Sequence, residues 1–144
     1  MGLILDTSVI IAEERRGTSA AELLKGIRAS LGSEPIALSA VSVIELEHGV
    51  WRAREPAQAA RRQKFLDDLF AVVPVYPLTF EIARRAARID GEAKRNGTSI
   101  PFQDLVIGAT ALELDYAVVT HNVRHFQMIP GLVVKQLLAA PPSP

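Results

Sequence analysis

The sequence predicts an α/β protein, a three-layer α/β/α sandwich with a mostly parallel central sheet of four to five strands. Short branched apolar runs alternate along the chain with longer segments of helical periodicity, which is typical of parallel β-α units. At 144 residues, 49% of them hydrophobic and 22% charged, the chain has the size and composition of one globular domain. We expect this domain to cover residues 1–138 and residues 139–144 to form a frayed tail.

Four short runs of branched and small apolar residues predict the strands, and a fifth run is a weaker candidate. The third run contains Pro74, which has no amide hydrogen to donate, so we expect its strand near an edge of the sheet. In chain order the runs are Leu3–Leu5, Pro35–Leu38, Val72–Val75, Ala117–Thr120 and, as the weaker candidate, Leu132–Val134.

Six helices are predicted from capping residues followed by apolar residues at helical spacing. Ser19 and Glu22 have the spacing of a capping box, and Ser42 and Glu45 repeat it, so a helix is expected to begin at each serine. Gly108, in the last helix, predicts close packing. The expected starting points are Asp6-Thr7-Ser8, Ser19, Ser42, Pro56, Thr79 and Pro101.

Composition excludes several classes of function. Sixteen basic and sixteen acidic residues cancel, so a polyanion would have to be held locally by a metal or by a few arginines. The absence of cysteine excludes disulfides and thiolate sites, and three histidines without a paired spacing disfavour zinc. No targeting segment or apolar run of bilayer length is visible, so we expect a cytoplasmic protein with no membrane partner.

Arginines are clustered on two predicted helices, at Arg61-Arg62 and at Arg84-Arg85 with Arg88. We expect them mostly on solvated helix faces, with one or two in contact with phosphate.

Four oxygen-bearing side chains stand at the ends of predicted elements. Asp6 and Asn122 follow two strands, and Glu45 and Asp104 lie in the opening turns of two helices. The carboxyl ends of parallel strands share one edge of the sheet, where ligand sites form. Three carboxylates gathered there repel one another unless one is protonated or a cation bridges them. We therefore predict a raised pKa for at least one of them and a site for Mg²⁺ or Mn²⁺, which prefer oxygen ligands.

Each of these residues also has a purely structural interpretation. Asp6 could serve only as a helix N-cap, and Glu45 only as the acid of a capping box. Asp104 could be an acid favoured by the helix dipole, and Asn122 a turn residue. The four interpretations are independent, and together they do not explain the whole pattern.

Four spaced segments, taken together, closely resemble the PIN domain and, within it, the VapC-type toxins of bacterial toxin–antitoxin pairs. The resemblance implies a PIN-like fold and a metal-dependent endoribonuclease that uses Mg²⁺ or Mn²⁺. It also implies a cognate VapB-type antitoxin, an RNA substrate, a homodimer, and contact with DNA only indirectly through the antitoxin. The segments are Leu5–Ser8, Ser42–Leu46, Ile100–Ala109 and Thr120–Phe126.

Residue by residue, the resemblance implies that Asp6, Glu45 and Asp104 form the acidic metal site. Asn122 occupies a position where many members carry a fourth acid, so one metal or two is left open. Ser8, or Thr7, matches a hydroxyl that supports the site through hydrogen bonds. His121 and His125 flank Asn122, and for them contact with solvent or RNA is favoured over metal binding.

A set of apolar residues on the third and fourth helices has two interpretations. They could be plain core, or part of the set could be exposed as the groove that VapC-type toxins use for the antitoxin. We favour the partner groove, formed by Leu46, Val50, Trp51, Phe65 and Leu69.

Two other functions stay open from the sequence. One is a catalytically silent PIN scaffold that only binds RNA or protein, although the three carboxylates argue against it. The other is a Mg²⁺-binding phosphoacceptor signalling domain. It is disfavoured because Asp6 has no acidic neighbour and Lys135 falls in the wrong place.

Overall fold

Five parallel strands form the central sheet of this protein, whose computed structural model describes residues 1–137. The strands are β1 (Leu3–Leu5), β2 (Ile36–Ser39), β3 (Val75–Tyr76), β4 (Ala117–Thr120) and β5 (Val134–Gln136). The helices of this range are α1 (Thr7–Arg15), α2 (Ala20–Leu31), α3 (Ala40–Trp51), α4 (Pro56–Val72), α5 (Phe80–Arg95), α6 (Phe102–Leu114) and α7 (Val123–Phe126). The end of the predicted domain, at residue 138, and the tail expected at 139–144 lie outside the described residues.

The sheet has the order β3-β2-β1-β4-β5, and all neighbouring strands are parallel. In the centre, Leu3 of β1 pairs with Ile36 of β2, and Leu5 of β1 pairs with Val119 of β4. The predicted three-layer fold with a parallel sheet is confirmed. The expected edge position of the third strand, next to Pro74, is confirmed as well.

Each face of the sheet carries its own hydrophobic core. Leu3 and Leu5 belong to the core that α1, α2 and α4 cover, whereas Ile4 belongs to the core beneath α5 and α6. All three side chains are 0% exposed. Successive side chains of a strand point to opposite faces, so a central parallel strand must be apolar at every position. The uninterrupted apolar run of β1 follows from this requirement.

The predicted third strand at Val72–Val75 is wrong in its extent. Helix α4 continues through Val72, and the Val73 amide still donates to the Leu69 carbonyl at 2.9 Å. The strand comprises only Val75 and Tyr76. Three valines within four residues suit a strand locally, but Val73 is buried in the same core as Leu69, and this packing extends the helical turn.

The predicted start of the third helix at Ser42 is also wrong. Helix α3 begins at Ala40, directly after β2, and the Ser39 hydroxyl accepts a hydrogen bond from the Val41 amide at 3.3 Å. Ser42 is a fully buried residue inside the helix. Glu45 is therefore not the acid of a capping box. The matching prediction for Ser19 and Glu22 is confirmed, since the Glu22 amide donates to the Ser19 hydroxyl at 3.1 Å.

Within residues 1–137, no helix combines the length and the apolar character that crossing a membrane requires.

Two helical glycines differ in the space around them. A Cβ on Gly108 of α6 would lie 2.4 Å from Cδ1 of Ile129, which is itself only 2% exposed. A Cβ on Gly26 of α2 would have no neighbour within 4 Å. The close packing predicted at Gly108 is thus confirmed.

Gly26→Ala and Gly108→Ala add the same methyl group to two helix interiors, and we expect opposite effects on stability. Gly26→Ala should raise the free energy of unfolding by about 0.5–1 kcal/mol, because alanine is the better helix former. Gly108→Ala should lower it, since overpacking against buried Ile129 costs roughly 1–3 kcal/mol and outweighs that gain. Urea unfolding of both variants measures the difference. Equal stabilisation by the two changes would contradict this account of the α6 contact.

Candidate active site

A cleft of about 720 Å³ opens at the carboxyl ends of β1 and β4, and all four predicted site residues line it. Asp6 follows β1, Asn122 follows β4, Glu45 projects from α3, and Asp104 lies in the first turn of α6. The structure thus brings together side chains that are up to 116 positions apart in the chain, Asp6 and Asn122 being the extremes. Other residues of the wall are Thr7, Ser8, Arg15, Gln103, Arg124 and His125.

Asp6 is held by hydroxyl groups from two directions. Its Oδ2 accepts hydrogen bonds from Ser8 Oγ at 2.7 Å and from Thr120 Oγ1 at 2.8 Å, and the side chain is only 4% exposed. Asp6 occupies the N-cap position of α1, but its side chain makes no capping hydrogen bond. The N-cap interpretation therefore does not account for this carboxylate. The carboxylate is oriented by one hydroxyl from α1 and one from the end of β4.

The supporting hydroxyl is mainly that of Ser8, because Thr7 reaches Asp6 Oδ1 only at 3.5 Å. Ser8 Oγ also accepts a hydrogen bond from the His121 amide at 3.2 Å. Sequence reasoning missed Thr120, which is fully buried and accepts from the Asn122 amide at 2.9 Å while donating to Asp6. Its position could have been noticed in the sequence, because Thr120 is the polar residue that ends the apolar run of β4.

The cleft raises the pKa of the Asp104 carboxyl above its ordinary value. Burial is the main cause of its raised pKa, and the nearby charges of Asp6 and Glu45 raise it further. A hydrogen bond between His125 Nδ1 and Asp104 Oδ2, 2.8 Å long, acts in the opposite direction without cancelling the rise. The prediction that one carboxyl has a raised pKa is confirmed. Desolvation, however, contributes more than the like-charge repulsion from which the prediction was made.

Glu45 is oriented by a residue that sequence reasoning missed. The Gln103 side-chain amide donates to Glu45 Oε2 and also lies 3.4 Å from Thr7 Oγ1. Gln103 therefore links α6 to α3 and α1 at the point where three elements meet. It directly precedes Asp104 in the chain, so the two residues approach the cleft from the same helical turn.

Asn122 adds a neutral amide to the rim of the cleft. It is exposed, and its side chain makes no capping hydrogen bond to α7. Its carbonyl oxygen is a possible ligand, but it brings no further negative charge.

The donor set suits a hard cation. Asp6, Glu45 and Asp104 offer carboxylate oxygens, the ligands that Mg²⁺ and Mn²⁺ prefer. Within residues 1–137, no three acidic or histidine side chains are already arranged around one point where an ion could sit. Glu45 and Asp104 are instead engaged by Gln103 and His125. The chemistry of these residues suits such an ion. In the metal-free protein, the two hydrogen bonds hold the Glu45 and Asp104 carboxylates in place.

The two histidines have different surroundings. His125 lies in α7 and contacts Asp104, whereas His121 precedes that helix, so they are not an i, i+4 pair on one helix. The His121 ring contacts the Leu137 carbonyl through Nδ1. His125 is thus part of the cleft, and the contact with Asp104 was not foreseen.

The predicted partner groove is only partly a surface. Leu69 is 0% exposed and belongs to the core between the sheet and α4, so its assignment to an exposed groove is wrong. Leu46 and Phe65 are 6% and 7% exposed and belong to the same core, but both also line a concavity of about 210 Å³ between α1, α3 and α4. Val50 is half-buried, and Trp51 is 85% exposed. Trp51 and Val50 line a surface concavity of about 600 Å³ with the first turns of α4. Trp51 is therefore not a core residue.

Comparisons with known proteins find related sequences. The PIN domain family matches residues 3–131 of the chain. The chain is 32% identical over 134 residues to Ribonuclease VapC1 of Rickettsia felis, which covers 93% of this chain and 95% of that protein.

Solved structures show the same likeness. One is the crystal structure of VapBC2 from Rickettsia felis bound to a promoter DNA fragment, with a TM-score of 0.82 at 20% identity. The match covers 95% of this chain and 99% of that chain, and it shows that the two share a fold. VapBC-1 from nontypeable Haemophilus influenzae has a TM-score of 0.75 at 26% identity and covers 94% of this chain and 98% of its own.

The raised pKa of Asp104 should make the stability of the metal-free protein depend on pH. The folded state binds this proton more tightly than the unfolded state, whose carboxyl titrates near 3.8. The wild type therefore loses stability from this group as the pH rises through the folded pKa. Asp104→Asn does not titrate, so its stability advantage over the wild type should grow as the pH rises from about 4 to about 7. Urea unfolding in EDTA at several pH values measures this gap, and a gap that stays constant or shrinks would contradict the assignment.

Proposed function

This chain belongs to the PIN domain family, and we propose on that premise that it is an endoribonuclease, the toxin of a toxin–antitoxin pair, which hydrolyses RNA phosphodiester bonds. The proposal is supported by the similarity to Ribonuclease VapC1 of Rickettsia felis over nearly the whole of both chains. The observation that carries it is the convergence of Asp6, Glu45 and Asp104 in one cleft. Three elements place like charges together there, at a cost that a bound cation would relieve.

We propose that Asp6, Asp104 and Glu45 hold Mg²⁺ or Mn²⁺. When bound, the ion would supply positive charge at the phosphoryl oxygens and would acidify a water for attack near neutral pH. Asn122 offers one neutral oxygen, which favours one tightly held ion over two. Asp6 enters this role already oriented, because Ser8 and Thr120 restrain its carboxylate.

The remaining residues prepare the cleft for the substrate. Gln103 keeps Glu45 facing the cleft, where its carboxylate can accept a proton from the attacking water. His125 keeps Asp104 in place and donates to the oxygen that an ion would otherwise neutralise. Asp104 would hold the ion as a carboxylate, so it would first have to release the proton that its raised pKa favours.

We propose a VapB-type antitoxin as the protein partner, supported by the likeness to the VapBC-1 structure. DNA would then be reached only through the antitoxin. We also propose a homodimer, because the net charge of zero sets no electrostatic barrier to self-association. Exposed apolar side chains on two helices, Ile44 of α3 and Phe102 of α6, are candidates for such contacts.

Asp104→Asn should abolish RNA cleavage in Mg²⁺ or Mn²⁺ while the fold is retained. We expect a loss on the order of 100-fold or more, because even residues that only orient a metal ligand are worth 10–100-fold. Asp90→Asn is the matched control, since Asp90 pairs with Lys94 on α5 and does not line the cleft. Cleavage of a labelled RNA, with circular dichroism of each variant, measures the effect. Full activity of a folded Asp104→Asn protein would refute the metal site.

Trp51→Ala should weaken antitoxin binding by about 2 kcal/mol if the indole is a buried anchor in the complex. The melting temperature of the free protein should hardly change, because Trp51 is 85% exposed. Phe80→Ala removes another aromatic ring, 70% exposed on a different helix, and serves as the control. The protein of the adjacent upstream reading frame is the binding partner to titrate. Unchanged affinity of Trp51→Ala would exclude this surface from the antitoxin interface.

A further inference from the structure

We propose that Arg15 and Arg124 bind phosphate groups of the RNA at two separate positions along the cleft. The proposal rests on the proposed ribonuclease function and adds to it the residues that hold the substrate backbone. It does not depend on how the carboxylates bind an ion.

Arg15 and Asp6 lie at opposite ends of one wall of the cleft. Ser8, Ile11, Ala12 and Arg15 form one stripe of α1, because the last three follow Ser8 by three, four and seven positions, and all four line the cleft. Along the helix axis, Thr7 and Arg15 are about 12 Å apart at 1.5 Å per residue. The guanidinium of Arg15 thus stands at the far end of the cleft wall that begins at Asp6.

Arg124 stands at the near end. It is the second residue of α7 and follows Asn122 by two positions, next to the Asp104 partner His125. Because β1 and β4 are adjacent parallel strands, α1 and α7 start from the same edge of the sheet. A single RNA strand lying in the cleft would therefore pass both arginines.

Both arginines are exposed, and within residues 1–137 neither forms an ion pair. Arg16 and Arg62, in contrast, are paired with acids. Arg16 pairs with Glu13 at 3.1 Å, and Arg62 pairs with Glu14 at 3.6 Å. The guanidinium groups of Arg15 and Arg124 are thus available to an anion, and arginine matches the geometry of phosphate with two parallel N–H donors.

The arginines predicted from the sequence to contact phosphate lie outside the cleft. Arg62 donates to the Gly49 carbonyl at 2.7 Å, Arg85 pairs with Glu113 at 3.0 Å, and Arg84 lies over the ring of Phe80. None of these three lines the cleft. With a net charge of zero, the protein has no general field that would replace local cations. The cleft needs its own positive charge beside three carboxylates, and Arg15 and Arg124 provide it.

The competing explanation for Arg15 is structural. As a basic residue in the last turn of α1, it could serve only to complement the negative end of the helix dipole. Its removal would then lower the melting temperature without changing how RNA binding responds to salt. Salt dependence therefore separates the two roles.

The test measures binding of a short fluorescein-labelled single-stranded RNA in EDTA, by anisotropy, over a KCl series from about 50 to 200 mM. Arg15→Ala and Arg124→Ala should each weaken binding and reduce the slope of log affinity against log salt by about 0.7, the value for one lost phosphate contact on a single strand. Arg16→Ala is the matched control, because Arg16 is the next residue, carries the same charge and does not line the cleft. It should leave the slope unchanged.

Slopes equal to that of the wild type in both variants, with cleavage by the wild type intact, would overturn the proposal and leave the ribonuclease function standing. So would an equal effect of Arg16→Ala, since that result would mean a non-specific charge effect. Weaker antitoxin binding with unchanged RNA binding would assign the arginines to the protein partner and also overturn it. A wild type that neither binds nor cleaves RNA would refute the proposed function itself.

Discussion

The parallel pairing of β1 with β4 is the constraint on which the site depends. Leu5 pairs with Val119, so both strands end at the same edge and Thr120 comes within 2.8 Å of Asp6. Strand pairing over such a distance in sequence is stabilised by two hydrophobic cores rather than by the site itself. The fold can therefore hold a buried carboxylate in a defined orientation before any ligand arrives.

Gathering acidic groups at this edge works against stability. Asp104 shows this most clearly, because burial and the charges of Asp6 and Glu45 all favour its protonated form. The structure offsets part of that cost with donors from the surrounding elements, of which His125 and Gln103 are the main ones. Sites that bind cations commonly carry such strain, since the same repulsion that destabilises the free protein favours the bound ion.

Residue type does not show which side chains near the cleft pack in the core and which are exposed to a partner. Leu46 and Trp51 both lie on α3 five positions apart, yet one is 6% and the other 85% exposed. An apolar residue at helical spacing looks the same in sequence whether it meets the core or a partner. The same holds for arginines, because Arg62 reaches an acid and a backbone carbonyl on other elements, whereas Arg15 lines the cleft.

The sequence by itself determined the strand order along the chain, the layers of the fold and the identity of the three carboxylates, because these follow from local periodicity and from the shared edge of parallel strands. Tertiary structure alone decided which residues support them. Thr120, Gln103 and His125 act on partners 114, 58 and 21 positions away in the chain. It also decided the boundaries at Val72 and Ser42, where core packing and a strand that runs directly into a helix overrode local signals. Contacts of this kind depend on where separate elements pack, and no local pattern encodes that.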